Sequence, residues 1–400
     1  MDKETNKKGF WLLVFLAFFG LSIGVFDNYR DLWMSVNDIS AVTISHIKSI
    51  SNIVTVLALF YFTLRVPIDK LKKGMNIVLI LKMIIGVILV FLNGTQNFFS
   101  IKFLMFFDIA FTQLILSSTY PLMMNFAKSD VLYAKKGFVE SFFDKIGLLL
   151  GSIILGKVLI GYEIDYNSCL MISLLFTFIS FVILISINIE SQNKKETLNV
   201  KKTVRYFKEN KLFLFFLGHN MLGSTVWTSL LGMQMLLLTK NLEFSSQMAS
   251  FLILGLGVIS TIMSMVIVKY LRFKNDQINI IFKFGIRVIL YIACVITGSP
   301  QVLFATIVYM LLTNSTHNFI FSSFFVNIID EEYSLVLTTM KYCATLIGDA
   351  IGLFLCGLTF EGPIMYFALP AATLGIIHYI LSIILVEKKK TLINKENSGK

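Results

Sequence analysis

The stretch Glu140–Gly156, read E-S-F-F-D-K-I-G-L-L-L-G-S-I-I-L-G, ends in a pattern that the chain uses twice. Ile146, Gly147, Gly151 and Gly156 return half a chain later as Ile347, Gly348, Gly352 and Gly357, with the same spacing. Glycine makes up roughly 7% of an ordinary sequence, so three glycines and an isoleucine matched at that displacement argue for two homologous halves. Each half then carries a small-residue helix face at the same place. In a bilayer such faces let helix backbones approach closely, because lipid gives apolar helices no hydrophobic reason to associate.

Composition supplies the solvent. The chain has 400 residues, 56% of them hydrophobic and only 15% charged, with a mean hydropathy of +0.78. A soluble domain of that length cannot hide so much apolar surface, so an α-helical polytopic membrane protein is predicted. The alternation of a β-barrel is absent. A formal charge of +11 does not point to nucleic acid, since most cations sit in short loops between apolar runs. Cys169, Cys294, Cys343 and Cys356 are scattered within spans at no metal-ligand spacing, so neither disulfide nor metal is expected. Lys7 and Lys8 precede an apolar run from Phe10 to Phe26 that is too long for a signal peptide and lacks a cleavage site. It is read as an uncleaved first span.

Hydropathy predicts twelve spans, near 10–35, 46–66, 75–93, 99–125, 137–160 and 168–187, then 212–238, 247–268, 279–298, 302–327, 338–360 and 365–386. The predicted organisation is a six-helix bundle over 1–187, a lysine-rich linker over 188–211, a second bundle over 212–386 and a basic tail over 387–400. Basic residues collect at the termini, the linker and alternate loops, while the other side has only Arg30, Lys48, Lys102, Lys157 and Lys240. By the positive-inside rule both termini and the linker are cytoplasmic, in a protein of the cell membrane.

Six plus six spans around a basic central loop is an architecture common to secondary transporters. The sequence here resembles the major facilitator superfamily over its full length. Asp69-Lys70-Leu71-Lys72-Lys73 after the second span resembles that family's acidic-then-basic loop. Gly147-x3-Gly151-Ser152-x3-Gly156 resembles the glycine signature of its antiporters, with Ser152 in place of the usual proline. The resemblance implies two pseudo-symmetric bundles of six transmembrane helices, with spans 1, 4, 7 and 10 lining a central cavity. It also implies that spans 3, 6, 9 and 12 face lipid.

Ionisable groups within spans are costly unless paired or wetted, and each is a functional candidate. Span 4 holds Asp108, Thr112 and Gln113, span 7 holds His219 and Asn220, and span 10 holds Asn314 and His317. Asp108 lies about ten residues, or ~15 Å, into its span, and is read as a lone carboxyl that carries a proton or meets the substrate. The alternative is a structural acid bonded to Asn or Thr of span 7 or 10. Asp27, Arg30 and Asp31 share one face at the outer end of span 1 and are read as an extracellular mouth or an interfacial cap. His219 and His317 are candidate proton relays, or core histidines satisfied by serine. Asp349 stands between the repeated glycines of span 11 and Asp144 near the cytoplasmic end of span 5; either acid is a candidate for the cavity entrance, the alternative for Asp144 being neutralisation by adjoining Lys145. Lys82, Lys283 and Arg287 are placed close enough to the span ends to snorkel. The aromatics Phe106, Phe107, Phe111, Tyr120 and Trp227 are read as packing.

The repeat also inverts two charges: Glu140 corresponds to Lys341, and Asp69 to Lys269 within a residue. With the helix neighbours that the resemblance implies, this gives two symmetric cytoplasmic gate bridges, Asp69 with Lys341 and Glu140 with Lys269. The function read from the sequence is a secondary transporter that exports a small organic or amphiphilic solute in exchange for protons. Uptake by proton symport is the alternative, as is a non-transporting sensor or assembly factor. A membrane enzyme would need clustered catalytic groups, and His46, His219, His317 and His378 are spread along the chain. No phosphate-binding loop or cofactor signature is present. The expected partners are lipid, protons and a small-molecule substrate, with the protein acting as a monomer.

Overall fold

The computed structural model describes residues 3–65, 68–92, 98–124, 139, 142–151, 153, 166–187, 206, 209–270, 280–313 and 334–398. Within them the chain is helical throughout, with no strand. The first half comprises α1 (Lys3–Ser22), α2 (Arg30–Val36), α3 (Ala41–Arg65), α4 (Ile68–Leu92), α5 (Phe98–Met124), α6 (residues 142–151) and α7 (Tyr166–Ser186). The second comprises α8 (Lys211–Leu231), α9 (Ser246–Tyr270), α10 (Ile286–Thr297), α11 (Pro300–Leu312), α12 (Ser334–Thr359) and α13 (Ile364–Ser398). Among the described residues eight helical segments are long and apolar enough to cross a bilayer, and two shorter apolar ones, Ser246–Ser260 and Pro300–Leu312, stand at the expected eighth and tenth spans. Much of the expected fifth span, and the second part of the tenth, lie outside the described residues.

The apolar runs become helices because lipid leaves every backbone donor and acceptor to be satisfied within its own segment. Surface side chains such as Leu57, Phe91, Phe99 and Ile296 are accordingly exposed and apolar. Between helices the contacts are made by small and hydroxyl-bearing residues. Ser22 on α1 bonds Ser173 at 2.9 Å and Thr177 at 2.7 Å on α7. Gly147 of α6 meets the backbone at the end of α1, where a Cβ would lie 2.8 Å from the Gly24 Cα. Gly348 of α12 meets the Met221 carbonyl of α8 just as closely. The two repeated glycines thus play matching parts, each seating its helix against the first helix of its own half.

The halves meet along α3 and α12. Ser49 donates to the Ala350 carbonyl at 2.8 Å, and Gly357 leaves room for Ser45. At the end of the molecule opposite the chain termini, hereafter the distal end, one apolar core draws on both halves. It includes Trp33, Met34 and Ile39 from the first, and Leu230, Leu236 and Phe360 from the second. That core joins the two halves at the distal end. At the other end α13 runs on as a single 35-residue helix, about 52 Å long against ~30 Å of hydrocarbon.

Candidate functional site

The site begins where the first span stops being regular. After Ser22 the helix widens into a π turn, Ile23–Asp27, passes Asn28 and Tyr29, and restarts as α2 at Arg30. Such single-turn widenings re-aim side chains. Here Arg30 and Asp31 become buried, each 6% exposed. Arg30 pairs with Asp27 one turn back and reaches across to α5, where its Nη2 donates to Asp108 Oδ2 at 2.7 Å.

Asp108 is itself buried, at 4% exposure. Its second oxygen accepts from Lys82 Nζ of α4 at 2.6 Å, and Lys82 also donates to Thr112 Oγ1 at 2.7 Å. Thr112 lies one turn beyond Asp108 and donates back to its carbonyl at 2.9 Å. At the distal side Asp31 pairs with Lys48 of α3 at 2.8 Å, and the same ammonium donates to the Gly232 carbonyl of the second half at 2.7 Å. Three carboxylates (Asp27, Asp31, Asp108) thus balance three cations (Arg30, Lys48, Lys82) across α2, α3, α4, α5 and the preceding π turn. Only such pairing makes buried charge tolerable, since an uncompensated ion costs several kcal/mol.

The arrangement corrects four expectations. Asp108 is not a lone carboxyl; it holds two cations, and they come from the first and third spans rather than from Asn or Thr of the seventh or tenth. Lys82 does not snorkel, because it is 5% exposed and committed to Asp108. Arg30 and Asp31 form neither an open mouth nor an interfacial cap; both are turned inward. Lys283 and Arg287, also expected to snorkel, are buried at 2% and 7% exposure. Gln113 is partly buried and makes no hydrogen bond among the described residues.

In the second half the candidate residues gather along α8. Asn220 donates to Thr345 Oγ1 at 2.6 Å and to the Lys341 carbonyl at 3.4 Å, and Ser224 bonds the Asp349 carboxylate. His219 Nε2 bonds Ser382 at 2.8 Å, and its ring lies 4.4 Å, centroid to centroid, from that of His378. Two of the four histidines, distant in sequence, are therefore in ring contact. Asp144 pairs with the neighbouring Lys145 at 2.6 Å and also accepts from Asn28 at 3.0 Å. Phe107 packs edge-on against Phe103 and Phe106, while Trp227 takes the guanidinium of Arg287 over its ring at 5.5 Å. Asn314, His317, Glu140 and Gly156, and the side chains of Asp69 and Lys269, fall outside the described residues, so neither gate bridge is among the contacts described. No group of three His, Cys, Asp or Glu side chains suited to a metal ion occurs among the described residues.

No protein-family model matches the sequence, and no curated protein matches it either. Solved structures do. The human organic anion transporter MFSD10 superimposes with a TM-score of 0.68 at 12% identity, covering 96% of this chain and 100% of that one. The nucleoside transporter NupG gives 0.61 at 13% identity over 95% and 98%. The major facilitator superfamily transporter FucP, in its outward conformation, gives 0.62 at 13% identity over 94% and 98%. The chain has the major facilitator fold. With this fold and its apolar helices it is a multi-pass membrane protein, and the two halves suggested by the glycine repeat fit that architecture.

Proposed function

We propose that the protein is a secondary transporter that moves a small organic solute across the cell membrane by alternating access, coupled to protons. The observation that carries this reading is the balanced network around Asp108 and its link, through Lys48, to the Gly232 carbonyl of the other half. Charge state in the interior is thereby tied to the contact that closes the distal end. A proton delivered to Asp31 or Asp108 removes a partner from Lys48, or from Arg30 and Lys82. The freed cation then favours a different arrangement of the halves. Buried polar atoms support the same role: Arg30 Nε and Asp31 Oδ1 lack hydrogen-bond partners among the described residues, leaving a donor and an acceptor for the cargo or the proton.

Export in exchange for protons is the direction we propose, on the likeness of the Gly147–Gly151–Gly156 face to that of the family's antiporters. Cytoplasmic termini follow from the basic loops, and the gate pairs Asp69–Lys341 and Glu140–Lys269 would close the cytoplasmic side in the outward-facing state. Domain limits at 187, 211 and 386 belong to the same reading. The test is flux into proteoliposomes under an imposed pH gradient, across a panel of nucleosides, sugars, organic anions and amphiphilic cations. Wild type should accumulate at least one compound in response to the gradient, and Asp108→Asn should lose that response. Absence of gradient-driven flux for every compound, with folded protein in the membrane, overturns the proposal.

A further inference from the structure

The second half carries a charge arrangement that the first does not. In the first, a cation on the third span, Lys82, meets a carboxylate 26 residues later, Asp108. In the second, a cation on the ninth span, Arg287, meets a residue 26 later, but that residue is Thr313. Arg287 Nε donates to Thr313 Oγ1 at 3.0 Å, and Nη2 donates to the same oxygen at 2.6 Å and to the Met310 carbonyl at 3.1 Å. All of these acceptors are neutral. Counting instead by the displacement of the glycine repeat, the counterpart of Asp108 is Tyr309, also uncharged. A guanidinium has five N–H donors, and the bonds described for Arg287 all come from Nε and Nη2.

Two further nitrogen-bearing side chains lie nearby. Lys283 is buried one turn before Arg287. His378, 4% exposed, is within electrostatic reach of Lys283, Arg287 and His219, and its Nε2 has no hydrogen-bond partner among the described residues. A buried guanidinium satisfied by neutral oxygens and the face of Trp227, with no carboxylate described against it, is costly, and a ligand bringing its own negative charge would relieve that cost with a charge-assisted, two-pronged bond. We infer that Arg287, with Thr313 holding its orientation, binds the acid group of the transported solute, which is therefore a small organic anion. This rests on the transport reading and narrows it to carboxylates, sulfonates and phosphate monoesters.

The experiment is binding by the purified full-length protein in detergent, which needs no transport. The probes are benzoate, benzenesulfonate and phenyl phosphate, each compared with benzamide and benzylammonium, and read by thermal stabilisation and titration calorimetry. At least one acid should bind while benzamide and benzylammonium do not. Arg287→Gln should weaken that acid about tenfold or more, and Arg287→Lys should fall between. Thr313→Asp, which builds a carboxylate where Arg287 already donates, should abolish binding while keeping the protein folded, and serves if Arg287→Gln is not recovered. The inference is overturned if none of the three acids binds. It is equally overturned if the amide binds as well as the acid, or if Thr313→Asp leaves acid affinity unchanged. Gradient-driven flux of neutral solutes without acid binding would overturn it and leave the transporter reading standing; acid binding without flux would do the reverse.

Discussion

Replacing Asp108 by asparagine removes the one carboxylate that accepts from both Arg30, at 2.7 Å, and Lys82, at 2.6 Å. Arg30 retains Asp27, whereas Lys82 is left with the Thr112 hydroxyl. An ammonium at 5% exposure with only a neutral partner is the case in which breaking a buried pair costs about 3–5 kcal/mol. That is roughly a hundredfold or more in the unfolding equilibrium. Lys82→Met alone should also destabilise, by leaving Asp108 with one cation instead of two. The double variant removes one charge of each sign and restores the balance. Its cost should fall short of the summed single costs by about 2 kcal/mol. The assay is reversible unfolding of the purified protein in mixed micelles by added dodecyl sulfate, followed by the fluorescence of its 3 tryptophans. Additive costs, or a single-variant cost below ~1 kcal/mol, would refute the pairing. The double variant should also be folded but unable to couple flux to a pH gradient, which separates stability from mechanism.

Three further outcomes are expected, two from the packing and the third from the charge inversion of the repeat. Gly147→Ala should destabilise by about 1–3 kcal/mol in that titration, since its Cβ would press on the backbone of Leu21 and Gly24; Gly218→Ala, with nothing within 4 Å of the new atom, should be neutral or stabilising by up to ~1 kcal/mol. Lys48→Met removes the link from Asp31 to the Gly232 carbonyl. It should raise maleimide labelling of a cysteine placed at Leu236, buried in the distal core, by about tenfold; unchanged labelling would show that Lys48 does not hold the closure. At the other end, Asp69→Lys should shift accessibility toward the cytoplasm, and adding Lys341→Asp should restore it; no rescue would dismiss that gate pair.

Much of the architecture could be read from residue order alone, because hydropathy and glycine spacing are local signals. The helices, the small-residue faces at Gly147 and Gly348, and the candidacy of Asp108 all came from such patterns. What stayed hidden was partnership. Lys82 looked like a snorkelling residue because a hydropathy window trims a helix where its charges begin. With the span drawn from 75 it sits near the end, but α4 starts at Ile68 and places it two turns deeper. The bond from Lys48 to the Gly232 carbonyl, 184 residues away, is another partnership that no single span reveals. The inward turn of Arg30 depends on a π turn, for which no residue type is diagnostic. His219 and His378 are 159 residues apart and meet only through the packing of α8 on α13.

The length of α13 has a practical consequence. About 15 Å of it continues beyond the apolar span, which ends at Lys388, as uninterrupted helix to Ser398. A helical scaffold grafted in register onto that stalk would be held rigidly against the second half, each added residue swinging it by about 100°. Small membrane carriers lack features by which single particles can be aligned. This one offers a ready-made mast for such a marker, at the end away from the closed core.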